Sequence, residues 1–318
     1  MATRSSERTG GFDGDWDAAA VGLAAAVAAA VAVSLWTSVV ARATRPLIDG
    51  ASSGPPWTLF LASAVTVLAG FGAGSVAYAR YRGYALPIVP PRRGTRGTAA
   101  AAVLSSAALA VGAAVVGNLA FDVTLSAVMQ RRFGPDAPVS FLLASVLPTA
   151  AAVGVGYGAL FFGVVGERAR QLLGPDRAVP ATTALVGFYW LLPVGSLGQF
   201  RSNAGFAVEV GLSLVFGAAF GASVAFLYRA VDPSTTTFRP RDALVIAVAT
   251  VGVVGVASGL TTVPGDLGDL LWLPVFGIAA VGYERTRSLW TPALVIAAFR
   301  VTVGGVVYAE AVLGLASI

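Results

Sequence analysis

Residues 271–300 read LWLPVFGIAAVGYERTRSLWTPALVIAAFR, two apolar runs separated by the charged turn Tyr283-Glu284-Arg285-Thr286-Arg287. Each run reads as a helix. The second opens with Ser288-Leu289-Trp290-Thr291-Pro292. Ser288 is the expected N-cap, and Pro292 falls in the first turn, where a missing N–H costs little. That helix then carries Arg300 near the centre of an otherwise apolar span. A charge at such a depth is expensive and marks a position with a reason to be charged.

The rest of the chain is of the same kind. Of its 318 residues 56% are hydrophobic and only 12% charged, with a mean hydropathy of +0.78. A soluble domain of this length does not look like that, and the composition predicts an all-α, polytopic helical membrane protein. The absence of cysteine excludes disulfides and thiolate metal sites, and the absence of histidine removes the commonest general base and zinc ligand. All 21 basic residues are arginine, which excludes a Schiff base and a P-loop lysine. No acids stand at metal-ligand spacing, so neither metal nor cofactor is expected. The net charge of +5 needs no nucleic acid as partner, because a biased set of loops accounts for it.

Taken in order, residues 1–17 are polar and expected to be a disordered tail. They are not a signal peptide, since the apolar run that follows is too long and lacks a cleavage site. About nine spans follow, near residues 18–40, 57–79, 99–121, 140–165, 181–197, 205–228, 243–263, 267–283 and 289–313. The fifth is short and interrupted by Pro193, and the eighth is short for a full crossing of about 20 residues. Small residues at spacings of four, such as Gly217, Gly221 and Ala225, suit close helix packing. With nine spans the N-terminus and the loops at 80–98, 166–180, 229–242 and 284–288 share one side. That side holds 15 arginines, and the other five. The bias places the N-terminus in the cytoplasm and the C-terminus outside a cell membrane.

Residues 224–313 resemble the CPBP family of intramembrane proteases, the CAAX prenyl protease-like group. Its members carry Glu-Glu-x-x-x-Arg, Phe-x-x-x-His and His-x-x-x-Asn on successive helices, the last inside a helix opened by a phrase like "yertgSLWaPilaH". Residues 283–292 follow that phrase closely. The resemblance implies a water-activating glutamate, with histidines and asparagine stabilising an oxyanion. Carried onto this chain, Ile296 stands for the third motif's histidine and Arg300 for its asparagine. Ser258 stands for the second motif's histidine, and Val224 and Ala225 for the two glutamates. Arg229 alone is retained. A second register, with residues 157–163 as the first motif and 188–192 as the second, leaves too long a gap to Ile296. Both registers lack every catalytic acid and histidine, so the chain reads as a degenerate member with no catalytic residues.

The binding candidates are Arg300, Glu209 and Arg229. Arg300 is placed to pair with Glu209, to take a lipid headgroup or peptide carboxylate, or to bond backbone carbonyls. Glu209 and Glu310 lie near outer span ends, each a conceivable proton carrier with no second acid beside it. Arg229 and the 80–98 arginines obey the positive-inside rule, and that loop also suits anionic lipid. Trp57, Trp272 and Trp290 fall at span ends as interface anchors. Three functions follow. The first is a non-catalytic relative that binds a membrane protein, peptide or lipid in the vestigial cavity. The second is an active endopeptidase with a non-standard site at Glu209. The third is a small-solute or lipid transporter, for which the break at Pro193-Val194-Gly195 is the only hint.

Overall fold

The computed structural model describes residues 13–191, 268 and 270–315, and every regular element among them is a helix. The expected sixth and seventh spans and most of the fifth lie outside the described residues. So do Glu209, Val224, Ala225, Arg229 and Ser258.

Helix α1 runs Asp13–Ser52. It starts inside the expected polar tail and continues twelve residues past the apolar run that was read as the first span. A second continuous helix is built from α2 (Pro56–Val67), a π-helical turn π1 (Leu68–Gly72) and α3 (Ala73–Tyr81). Helix α4 is Arg96–Phe121, ended by Asp122 in the left-handed region at φ 52°. A one-turn helix α5 (Leu125–Val128) lies in the loop that follows. Then α6 (Val139–Tyr157) runs without a break through π2 (Gly158–Gly166) into α7 (Glu167–Leu173). Helix α8 spans Pro175–Leu191, α9 Trp272–Thr286 and α10 Trp290–Val312. Among the described residues four helices are long and apolar enough to cross a bilayer: 57–81, 93–121, 139–173 and 290–312.

The outward faces explain why such a bundle needs lipid. On α4 the exposed residues are Leu104, Val111, Val115, Val116 and Leu119, while Ser106 and Ala110 are buried. Large apolar side chains point out and small ones point in. A soluble monomer does not expose an apolar surface this continuous, whereas a helix facing hydrocarbon loses nothing by it.

Helix α10 is central and packs on α6, α4 and α9. Gly154 and Gly158, one turn apart on α6 and π2, bring those backbones onto α10. A Cβ at Gly154 would collide with the Ala293 carbonyl oxygen and stand 3.2 Å from Ala297 Cβ, and one at Gly158 would lie 3.4 Å from Ala293 Cα. Between membrane helices, where lipid competes equally for apolar contact, such close approach is what holds two helices together. The Ser106 hydroxyl of α4 donates to the Val295 carbonyl of α10 at 3.0 Å.

An unbroken aromatic chain fills the core. Phe71 meets Tyr157 at 5.1 Å, Tyr157 meets Trp190 at 5.5 Å, Trp190 meets Trp272 at 5.1 Å, and Trp272 meets Phe299 at 5.0 Å. These edge-on and tilted pairs join five elements. Trp272 is therefore buried in the core, with only 6% exposure. The expectation of an interface anchor fails there, because α9 is short and begins within the bundle. Trp57 and Trp290 remain half-exposed at helix ends, as expected.

Candidate functional site

The turn between α9 and α10 gathers three loops at one end of the molecule. The Glu284 carboxylate accepts from Arg170 at 2.9 Å and from Arg287 at 3.3 Å. Glu167 accepts from Arg287 at 2.9 Å and from the Tyr283 hydroxyl at 3.2 Å. Arg287, with φ 50°, is the left-handed residue that ends α9, and its guanidinium lies 5.0 Å from the Tyr283 ring centre. Beside this network the segment 86–91, which has no regular structure, is pinned in place. The Ser288 hydroxyl donates to Val89 O at 2.7 Å, the Trp290 indole to Ile88 O at 2.7 Å, and Leu289 N–H to Pro87 O at 2.9 Å. Ser288 therefore does not act mainly as the N-cap expected for α10. Its proton goes to Val89, its contact with Trp290 N is a long 3.3 Å, and Leu289 occupies the cap position. Pro292 is buried in the first turn, as expected.

Trp290→Phe removes one of these tethers without removing the ring. Faster amide exchange over residues 84–91 is expected, corresponding to about 1 kcal/mol of lost local stability, with the exchange of α6 unchanged. Hydrogen-exchange mass spectrometry reads both regions from one sample.

At the opposite end, the loop 122–138 folds over the last turns of α10. The Glu310 carboxylate accepts from Leu125 N–H at 2.8 Å and Ser126 N–H at 2.7 Å, and the Tyr308 hydroxyl donates to Ala137 O at 2.8 Å. Glu310, read from sequence as a conceivable proton carrier, has both oxygens committed to the backbone at the start of α5. Such an anion satisfies donors that have no partner within the helix.

Between the two ends lies the buried charge. Arg300 is partly buried on α10, its guanidinium carbon 5.9 Å from the Trp272 ring centre. Arg131 reaches in from the 122–138 loop, close enough for the two like charges to interact. Burial pulls the Arg131 guanidinium below its ordinary pKa. Among the described residues no carboxylate pairs with either arginine. A third donor is left over at the same place: the buried indole N–H of Trp190, tilted against Trp272, has no acceptor. Among the described residues the two partly buried arginines share this place with no carboxylate, although the Tyr157 hydroxyl is near enough to interact with Arg300, and a buried charge without a counter-charge costs several kcal/mol. The sequence singled out Arg300. It carried no sign of Arg131 or Trp190, which come from distant segments with no spacing rule linking them to α10.

Of the residues standing for the family's motifs, only Ile296 and Arg300 are described. Ile296 is fully buried in the core, where its side chain offers no polar chemistry. Residues 157–163, the second register's first motif, belong to α6 and π2 and are a packing surface against α10. Among the described residues no cluster of acids could hold a metal ion.

Comparison with family models, with curated proteins and with solved structures returns no match to this chain.

Proposed function

We propose that the chain is a non-catalytic, nine-span protein of the cell membrane, its N-terminus cytoplasmic and its architecture akin to the CPBP proteases. In this reading it binds a membrane-embedded ligand through an anionic group at Arg300, Arg131 and the Trp190 indole. The observation that carries the reading is two partly buried arginines that no carboxylate pairs with among the described residues, beside the unsatisfied Trp190 indole. A carboxylate or phosphate supplies the missing acceptors and charge, and arginine forks match both geometries. The ligand's apolar part, whether acyl chain or peptide tail, would stay in the bundle or the surrounding lipid. Three features support the topology. The loops at 80–98, 166–180 and 284–288 meet at one end through Ser288–Val89 and Arg170–Glu284. α8 and α9 lie against each other, with Trp190 on Trp272. The arginine bias orients that end to the cytoplasm.

The sign of one substitution separates a binding arginine from a structural one. Arg300→Met keeps an unbranched apolar stem and removes a charge that no carboxylate balances among the described residues. It is expected to raise the stability of the ligand-free protein by about 1–2 kcal/mol, as apolar replacement of buried charge does elsewhere. The same variant is expected to lose about tenfold in affinity for oleate, the loss of one charge-assisted contact. Oleyl alcohol, which has the same chain and no charge, serves as the control ligand. Tryptophan fluorescence and thermal unfolding of the full chain in detergent read both effects. A destabilised Arg300→Met protein, or equal binding of oleate and oleyl alcohol by the parent chain, would overturn the proposal.

A further inference from the structure

A second site lies at the arginine-rich end, about 10 Å along α10 from Arg300 at 1.5 Å per residue, and it does not depend on the Arg300 reading. An apolar groove of about 290 Å³ opens between α2–π1–α3, α6–π2 and the start of α10. Gly72, Val76, Val155, Ala159 and Ala293 form its walls, and Ile88 stands at its mouth. Both π-helical segments contribute to it: Gly72 belongs to π1 and Ala159 to π2. Such π turns are frequent at functional sites. The space at Gly72 is real, since a Cβ there would meet nothing nearer than Leu68 Cδ2 at 4.0 Å. No polar group competes for the interior. The one indole on the lining, that of Trp290, is spent on the Ile88 carbonyl.

The rim has the opposite character. From residue 50 to residue 121 the chain contains no acid, yet it holds Arg80, Arg82, Arg92, Arg93 and Arg96. All five are exposed. Arg80 stands one turn beyond the groove-lining Val76. Arg92 and Arg93 follow Ile88 after Val89, Pro90 and Pro91. None of the five is held by a carboxylate among the described residues. An apolar slot bordered in sequence by guanidinium groups that no carboxylate neutralises among the described residues matches one class of molecule.

We propose that this end of the protein holds one anionic phospholipid, an acyl chain lying in the groove and the phosphate on the arginines of the rim. The groove supplies the depth and the arginines the headgroup preference, since basic residues near a membrane surface select anionic lipids. The segment 86–91, tied to Ser288, Leu289 and Trp290, acts as a fixed edge of the slot.

The absence of cysteine from the chain makes a clean test available. Ile88→Cys, at a position 58% exposed, takes a single bimane label at the groove mouth of the full-length protein in vesicles. Phosphatidylglycerol with brominated chains is expected to quench this label at about tenfold lower mole fraction than phosphatidylcholine brominated in the same way. Gly72→Leu, at a position with room for a Cβ, puts an apolar side chain on the wall of the slot and is expected to abolish this tight quenching. Val155→Trp, a second filler from the opposite wall, is expected to do the same should the first fail to fold. Arg80→Gln, Arg92→Gln and Arg93→Gln combined are expected to equalise the two lipids while leaving chain quenching in place. Equal quenching by both lipids in the parent protein would overturn the proposal, because the label then sees only the surrounding bilayer. Tight quenching that survives both fillers would also overturn it.

Discussion

Gly154→Leu is expected to prevent assembly of the bundle, with a loss of about 3 kcal/mol or more. Any Cβ at this position runs into the Ala293 carbonyl oxygen and approaches Ala297 Cβ at 3.2 Å. The first of these is backbone, so no rotamer change relieves the collision. α6 and α10 must separate instead, and the α6 side of the core goes with them. Overpacking a soluble core costs about 1–3 kcal/mol because neighbours shift. Here the shift is between two spanning helices whose contact depends on close approach, since lipid replaces lost apolar contact without penalty or gain. Gly112→Leu is the matched control. Gly112 is exposed on α4, and a Cβ there meets nothing within 4 Å. That variant is expected to be neutral, or slightly stabilising through helix propensity. Size-exclusion homogeneity and unfolding in mixed micelles distinguish the two. A Gly154→Leu protein as stable as the Gly112→Leu protein would mean that α6 and α10 are not in backbone contact.

The helical membrane character of the chain was legible from hydropathy alone, because the periodic apolar runs are what the bilayer demands. The ends of the helices were less so. α1 continues through Arg42, Arg45 and Asp49 to Ser52, with Arg45 and Asp49 one turn apart at 3.9 Å. The helix from Val139 likewise runs on through Glu167 and Arg170 to Leu173. Hydropathy marks where a helix is apolar, and it is silent about a helix that carries on into charged sequence. Arg300 was legible as an exception within an apolar run. Its neighbours were not, since Arg131 and Trp190 reach it through tertiary folding. The tethering of Pro87, Ile88 and Val89 was equally hidden, because a loop lying along a helix start has no period to detect.

The phrase at residues 283–292, which carries the likeness to the intramembrane proteases, has a physical account within this chain. Tyr283, Glu284 and Arg287 bind the start of α7, and Thr286 bonds Thr291 across the turn at 2.8 Å. Ser288 and Trp290 hold the segment 86–91. These residues build a corner on which two other segments are hung, so each conspicuous side chain of the phrase has a structural task within this chain.

The corner's strength is concentrated in one carboxylate. Glu284 is 9% exposed and bridges Arg170 and Arg287, each 34% exposed. Glu284→Ala is expected to cost about 2 kcal/mol. Breaking a fully buried pair costs about 3–5 kcal/mol because an unpaired charge is stranded. Here Arg170 alone loses its carboxylate, and it keeps a third of its exposure to water, while Arg287 stays paired with Glu167 at 2.9 Å, so the penalty is smaller. Arg170→Ala is expected to cost about half as much, because Glu284 keeps its contact with Arg287 and Tyr283 still donates to Glu167. The double variant is expected to show a coupling of about 1 kcal/mol, the range for groups in direct contact. High salt is expected to leave the coupling nearly unchanged, since the bridging carboxylate is shielded from counterions. Reversible unfolding of the full chain in mixed micelles, across the four proteins of the cycle at low and high salt, supplies each number. Coupling below about 0.3 kcal/mol, or coupling that vanishes in salt, would class these contacts with ordinary surface ion pairs. The turn between α9 and α10 would then owe its shape to the Ser288 and Trp290 tethers alone.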